Sequence, residues 1–266
     1  MHFYTKTDRG VEPRHFVPMT SDPSRLRPSR ISDMRKAAKE GEVWRPSVTS
    51  VGNVLAKHAL IDWKIEQHLK QAFILTTLPV ISPAFLEEYS YIQGVKRLTE
   101  LEMGKAPQAG TDLHKLMEKY VLGDIADISM KDRELCGTIL EVIIDKTEET
   151  LYPEWETEAC FVSDLGYGGQ IDLIPPGWLI DYKTKQTAEK FKPGKMAYDD
   201  HSMQLSAYRE GKYPRRIMHN RPRCANVFVC LENGKIDFHE HTEKDLEKGW
   251  KLFQHALAIW KLQHDH

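Results

Sequence analysis

From residue 131 onward, the hydrophobic and polar positions change period several times, and each change marks an element. Lys131–Thr150 repeats its apolar residues with helical spacing. After Pro153 the period shortens to two. Glu154–Val162 predicts a strand, and Gly168–Ile174 and Trp178–Thr184 predict a pair of strands around Pro175-Pro176-Gly177. A helix carrying Met203, Leu205 and Tyr208 follows. Cys224–Leu231 and Lys235–His241 then form a second hairpin about Glu232-Asn233-Gly234. A last helix starts at Thr242, which makes a capping pattern with Asp245, and its stripe of Leu246, Trp250, Phe253, Leu257 and Trp260 is spaced 4-3-4-3. The expected order is α-β-β-β-α-β-β-α.

Upstream the pattern is mostly helical, over Val51 to about Ala72, Phe85–Met103 and Thr111–Val121 with Thr111 as N-cap. Residues 1–46 are rich in Pro, Ser and Arg and carry 10 Lys+Arg against 6 Asp+Glu, a net +4. They read as a basic arm with one short helix, Ser32–Lys39, and not as an independent domain. The rest, 47–266, is expected to be one domain: a helical part 47–150, a core 151–241 and a terminal helix 242–263. The fold class is α/β of the α+β kind, a mixed sheet flanked by helices.

Composition narrows the function. The chain has 266 residues, 41% hydrophobic and 29% charged, and 37 Lys+Arg against 39 Asp+Glu give a net charge of −2. That excludes a bulk polycation, so any contact with nucleic acid must come from local patches. The first residues, MHFYTKTDRG, hold no apolar core of a secretory signal, and the apolar stretch Ala72–Ile81 is broken by Thr76, Thr77 and Pro79 and too short for a bilayer. A cytoplasmic protein without a membrane partner is expected. Cys136, Cys160, Cys224 and Cys230 never form a CxxC pair and read as reduced thiols at or near the core.

The chemistry concentrates in the first hairpin. If it is symmetric about Pro176 and Gly177, paired residue numbers sum to 353. Asp172 then faces Asp181, and Gln170 faces Lys183. Because strand side chains alternate, Gln170, Asp172, Asp181 and Lys183 share one face, while Ile171, Leu173, Ile180 and Tyr182 share an apolar one. Two opposed aspartates destabilise a sheet unless a cation lies between them, and oxygen ligands suit Mg²⁺ or Mn²⁺. Lys183 points at the same site, where an ammonium can orient water and neutralise charge growing on a phosphate. Glu156 and Glu158 on the preceding strand offer a third carboxylate. His114 and Glu118 lie one helical turn apart, as do Gln204 and Tyr208.

Together, Gly168-Gly169-Gln170-Ile171-Asp172, Asp181-Tyr182-Lys183, Gln204-x3-Tyr208 and Gly110-x3-His114-x3-Glu118 resemble the PD-(D/E)xK nuclease superfamily in its RecB-like branch. That branch includes the RecB nuclease domain, CRISPR-associated exonucleases, the mitochondrial genome maintenance exonuclease and many phage exonucleases. Pro46-Ser47-Val48-Thr49 resembles the PSVT motif of its phage and mitochondrial-type members, and the resemblance covers roughly 46–231. It implies a restriction-endonuclease-like core and a Mg²⁺- or Mn²⁺-dependent DNA exonuclease of phage or bacterial recombination, repair or replication, using one or two ions. Asp172, Asp181 and His114 would be metal ligands, with the backbone carbonyl of Tyr182 and either Glu118 or Glu158 as further ones. Lys183 would position water. Gln204 and Tyr208 would shape the site or hold the DNA strand, and Ser47 and Thr49 would contact DNA. Iron–sulfur members use a closely spaced cysteine cluster after the core, which this sequence lacks, so no cluster is expected.

Two basic runs would grip phosphates. Lys183–Lys195 has Lys183, Lys185, Lys190, Lys192 and Lys195 against Glu189, a net +4. Lys212–Arg223 has Lys212, Arg215, Arg216, Arg221 and Arg223 with no acid, a net +5. Tyr198, Tyr213 and His219 are interleaved and suited to stacking on bases of single- or double-stranded ends. The rival readings are a structure-specific endonuclease on the same scaffold, a non-catalytic DNA-binding protein, and a phosphohydrolase of small nucleotides. The terminal helix is expected to pack within its own chain, with an oligomer left open.

Overall fold

The computed structural model describes residues 1–19, 22–55, 58–77, 88–149, 155–215 and 220–264. Arg216, His219, Pro153 and the expected helix start at Phe85 lie outside them. Two compact units divide the chain: Met1–Leu55 with His114–His266, and Ala56–Leu113.

The first unit begins with strands that the hydrophobic pattern did not reveal: β1 (Phe3–Thr7), β2 (Gly10–Pro13), β3 (Phe16–Pro18) and β4 (Leu26–Pro28), then helix α1 (Ile31–Lys39) and β5 (Trp44–Pro46). β2, β1 and β5 form a small antiparallel sheet. Its Phe3 and Trp44, with Met34 of α1, are buried in the main core. These strands escaped the sequence reading because they are short and four of the five end in proline. Ser47 caps α2 (Val48–Gly52), its hydroxyl oxygen accepting the Ser50 N–H at 3.0 Å.

The second unit holds α3 (His58–Thr77) and α4 (Glu88–Val121) up to Leu113. Leu75 and Val95 are buried, and the Tyr91 hydroxyl donates to the Ala72 carbonyl at 3.0 Å. The two expected helices at 85–103 and 111–121 are one continuous α4. Thr111 is not its N-cap but an interior residue whose hydroxyl donates to the Pro107 carbonyl at 3.1 Å. The helix runs through Pro107, which removes one backbone donor without ending it.

His114–Val121 returns the chain to the first unit, and α5 (Met130–Thr147) precedes the main sheet. Its strands are β6 (Glu156–Ser163), β7 (Tyr167–Ile174), β8 (Trp178–Lys185), β9 (Arg223–Cys230) and β10 (Ile236–Glu240), in the order β10-β9-β8-β7-β6. The β8–β9 pair is parallel and the others antiparallel, a mixed sheet as expected. The parallel pair needs a crossover, supplied by α6 (Asp199–Lys212). The terminal helix α7 (Glu243–His264) packs on α6, with Gly249 pressed against the Ser202 backbone and Leu246, Phe253, Leu257 and Trp260 buried. Arg209, buried on α6, makes a bidentate pair with Glu243 of α7 at 2.6 and 3.0 Å. Among the described residues no helix is long and apolar enough to cross a membrane.

Candidate metal centre and its lysine

The β7–β8 hairpin has the expected register at its base, where Leu173 pairs with Ile180. Among the described residues that is the only registered pair of these two strands. Beyond it the ladder opens. The Asp172 carboxylate accepts the backbone N–H of Tyr182 at 2.7 Å, standing where a strand carbonyl would. Asp172 and Asp181 therefore do not oppose each other across a continued ladder, because Asp172 is drawn into the gap and toward α4.

Three donor atoms meet there. His114 Nδ1 lies 3.4 Å from Asp172 Oδ1 and 4.0 Å from Glu158 Oε1, and one ligand atom of each residue lies within 4.8 Å of the others. Glu158 stands on β6 between Thr157, paired with Leu173, and Ala159, paired with Ile171, which puts it level with Asp172. Its φ of +48° is in the left-handed region, a strained conformation for a residue with a side chain. Of the two glutamates on this strand, Glu158 is brought to the cluster. Glu156 pairs instead with Lys212 at 2.5 Å.

The electrostatics follow from this crowding. Burial, then the neighbouring Asp172, pushes the Glu158 carboxyl up to about 7. Burial opposes the charge on His114, but Asp172, Asp181 and Glu158 outweigh it and raise the imidazole to about 9. A site that attracts a proton onto each of these groups also suits a cation. Two carboxylates and an imidazole fit Mn²⁺ well, and Mg²⁺ through the carboxylates. Glu118, one turn from His114, stands outside the three-residue group but adds to the field on Glu158.

Asp181 has different company. It is 1% exposed, and its Oδ2 accepts from Lys183 Nζ at 2.6 Å and from Asn226 Nδ2 at 2.7 Å. Burial penalises its charge, and the carboxyl is shifted upward despite Lys183. Lys183 is desolvated too, yet Asp181 and Asp172 hold its ammonium above the usual range. Lys183 also donates to Gln204 Oε1 at 3.1 Å, and Gln204 Nε2 donates to the Tyr208 hydroxyl at 2.8 Å. The i, i+4 pair on α6 thus reaches the lysine of β8. Gly169 lets this happen, since a Cβ there would stand 2.9 Å from the Tyr208 ring. Tyr182 stands edge-on to His114, ring centroids 5.7 Å apart.

The expected DNA contacts separate. Ser47 is buried and engaged as a helix cap, whereas Thr49 is exposed. Lys190 and Lys192 are exposed, and Lys185 Nζ stands 5.7 Å from the Phe228 ring centre and 5.8 Å from that of Tyr198. The second basic run is largely paired with acids of the fold: Arg215 and Arg221 with Glu210 at 3.0 and 2.8 Å, and Arg223 with Glu240 at 2.5 Å. Sequence reasoning missed Asn226 and His241. The one available signal was a lone asparagine within the apolar strand Cys224–Cys230.

No family model and no curated protein matches this chain. Among solved structures, a candidate exonuclease from Eubacterium rectale aligns at 14% identity over 59% of this chain and 68% of its own, with a TM-score of 0.40. A structure described as SSO0001 aligns at 14% identity over 56% of this chain and 75% of its own, with a TM-score of 0.28.

Proposed function

We propose that the protein is a metal-dependent deoxyribonuclease that hydrolyses DNA phosphodiester bonds from ends. One observation carries the reading: a donor group of His114 on α4, Glu158 on β6 and Asp172 on β7 stands beside β8, whose Lys183 is fixed between Asp181 and Gln204. The sequence motifs support the same class, and the preference for ends rests on their resemblance. His114, Glu158 and Asp172 would hold the ion, with Asp181 beside them. When bound, Mg²⁺ or Mn²⁺ supplies Lewis acidity toward phosphate oxygen and water.

The chain's own groups do the rest. Asp181 keeps Lys183 charged and fixes one end of its reach, and Gln204 fixes its direction. The ammonium can then hold the attacking water and offset charge that grows on the phosphate in the transition state. Lys185, Lys190 and Lys192 would hold neighbouring phosphates. A phage or bacterial role in DNA recombination, repair or replication, in the cytoplasm, is the setting proposed.

End-labelled linear DNA and closed circular DNA, incubated with Mg²⁺ or Mn²⁺, test this. Metal-dependent loss of linear DNA with intact circles is expected. Degraded circles would make it an endonuclease, turnover of mononucleotides alone a small-nucleotide phosphohydrolase, and DNA binding without cleavage a non-catalytic binder.

A further inference from the structure

Behind Asp181 a buried hydrogen-bonded chain crosses the sheet. Asp181 on β8 stands opposite Asn226 on the parallel strand β9. Asn226 Nδ2 donates to Asp181 Oδ2 at 2.7 Å, and Asn226 Oδ1 lies 2.7 Å from Nε2 of His241, just past the end of β10. Asn226 is 0% and His241 5% exposed, so neither has water as an alternative partner.

The chemistry of the donors fixes this chain in one orientation. A carboxylate only accepts, so the amide must turn its NH₂ toward Asp181. Its oxygen then faces His241, and an acceptor there requires that His241 carry its proton on Nε2. The opposite amide orientation would set oxygen against oxygen at Asp181. The ring of His239 stands 4.7 Å from that of His241 at 79°, and the His241 backbone N–H donates to the Cys224 carbonyl at 2.9 Å, which fixes the residue's main chain. The donors from Lys183 and Asn226 both converge on Oδ2, which leaves the carboxylate's Oδ1 uncommitted to either.

We propose that Asn226 and His241 are positioning residues for the Asp181–Lys183 pair: His241 orients the Asn226 amide, which sets the rotation of the Asp181 carboxylate and through it the place of the Lys183 ammonium. This deepens the nuclease reading and rests on it for its effect on catalysis. The chain runs across two strands, β8 and β9, to His241, a loop side chain outside the three-residue donor group.

The test has a readout independent of activity. Nitrogen NMR of the imidazole rings in the wild-type protein is expected to show His241 neutral with its proton on Nε2. A proton on Nδ1 instead would overturn the proposal outright, without any variant having to fold. Cleavage kinetics then compare His241→Gln, which keeps an N–H for Asn226, with His241→Leu, which does not. His241→Leu should lower kcat about tenfold or more with KM for DNA within about twofold, and His241→Gln should recover most of it. Equal kcat in wild type and a folded His241→Leu, with Asp181→Ala inactive, would sink the positioning role while sparing the nuclease. If wild type fails to cleave with either metal, the nuclease reading falls, and the tautomer still decides whether the chain is built as described.

Discussion

Asp172 and Asp181 lie on adjacent strands of one hairpin and invite the same interpretation, yet their surroundings are opposite. Asp172 stands level with a second carboxylate, Glu158, and beside an imidazole, so negative charge is in excess around it. Asp181 is matched by the Lys183 ammonium and an amide donor. A carboxylate crowded by another acid attracts a cation from solution, whereas one already matched spends its charge holding a cation of the protein. One half of the site is thus arranged to receive an ion, and the other to aim a lysine.

Substitution by asparagine should break this contrast most visibly. Either change should reduce cleavage by about 100-fold or more. Their effects on folding should diverge. Asp172→Asn keeps an acceptor for the Tyr182 N–H and removes a like charge, so the metal-free protein should melt no lower than wild type while calorimetry shows Mn²⁺ binding lost. Asp181→Asn leaves the part-buried Lys183 without its counter-charge and sets an amide against Asn226, at a cost of about 2 kcal/mol. Thermal melts that fall equally for both would show that the two sites do not differ as argued.

A smaller effect follows from pH. Glu158 rises from 4.5 to about 7 on folding, so the native state holds an extra proton across that window and stability falls as pH climbs through it. His114 rises from 6.5 to about 9, and its favourable contribution is full below 6.5 and lost as pH passes 9. Both shifts lower the stability of the metal-free protein between about pH 5 and 9, by an amount on the order of 1–3 kcal/mol. Mn²⁺ must displace these protons, so its stabilising effect should be larger at pH 8 than at pH 6 and its binding should release protons to the buffer. Glu158→Gln should flatten the lower part of the profile. A stability curve that is level from pH 5 to 9 in the metal-free protein would remove the argument for charge crowding.

The two halves were not equally legible in the sequence. Period-two alternation and the Pro-Pro-Gly turn located β7 and β8 and gave the Leu173–Ile180 register, and the spacing of Gln204 and Tyr208 placed them one turn apart on a helix, without showing that they reach the lysine. The departure at Asp172 was hidden because it depends on a side chain replacing a ladder carbonyl and on a left-handed residue at Glu158. Alternation assumes regular backbone and cannot foresee either. Asn226 was hidden for another reason. Its partner lies 45 residues earlier across a parallel pairing whose register depends on the crossover helix, not on a local turn. The strands in the first 46 residues were missed because Pro and Arg mask a few well-spaced apolar anchors such as Phe3 and Trp44.

The basic runs extend the same comparison to the surface. By composition alone Lys212–Arg223, at net +5, looks the stronger phosphate grip. Among the described residues, however, Lys212, Arg215, Arg221 and Arg223 face Glu156, Glu210 and Glu240, whereas Lys190 and Lys192 are exposed. A cation already held by a carboxylate must give up that partner to take a phosphate, so it gains little by the exchange, while a solvated lysine loses only counterions. Lys190→Ala and Lys192→Ala should each raise the Kd for DNA a few-fold and lower the slope of log Kd against log salt by about 1. Arg223→Ala should leave both within error, because its guanidinium lies 4.1 Å from the Trp178 ring centre and is bonded to Glu240. If Arg223→Ala flattens the salt slope as much as the lysine changes do, pairing within the fold does not decide which cations meet the DNA, and local net charge read from the sequence is the better guide.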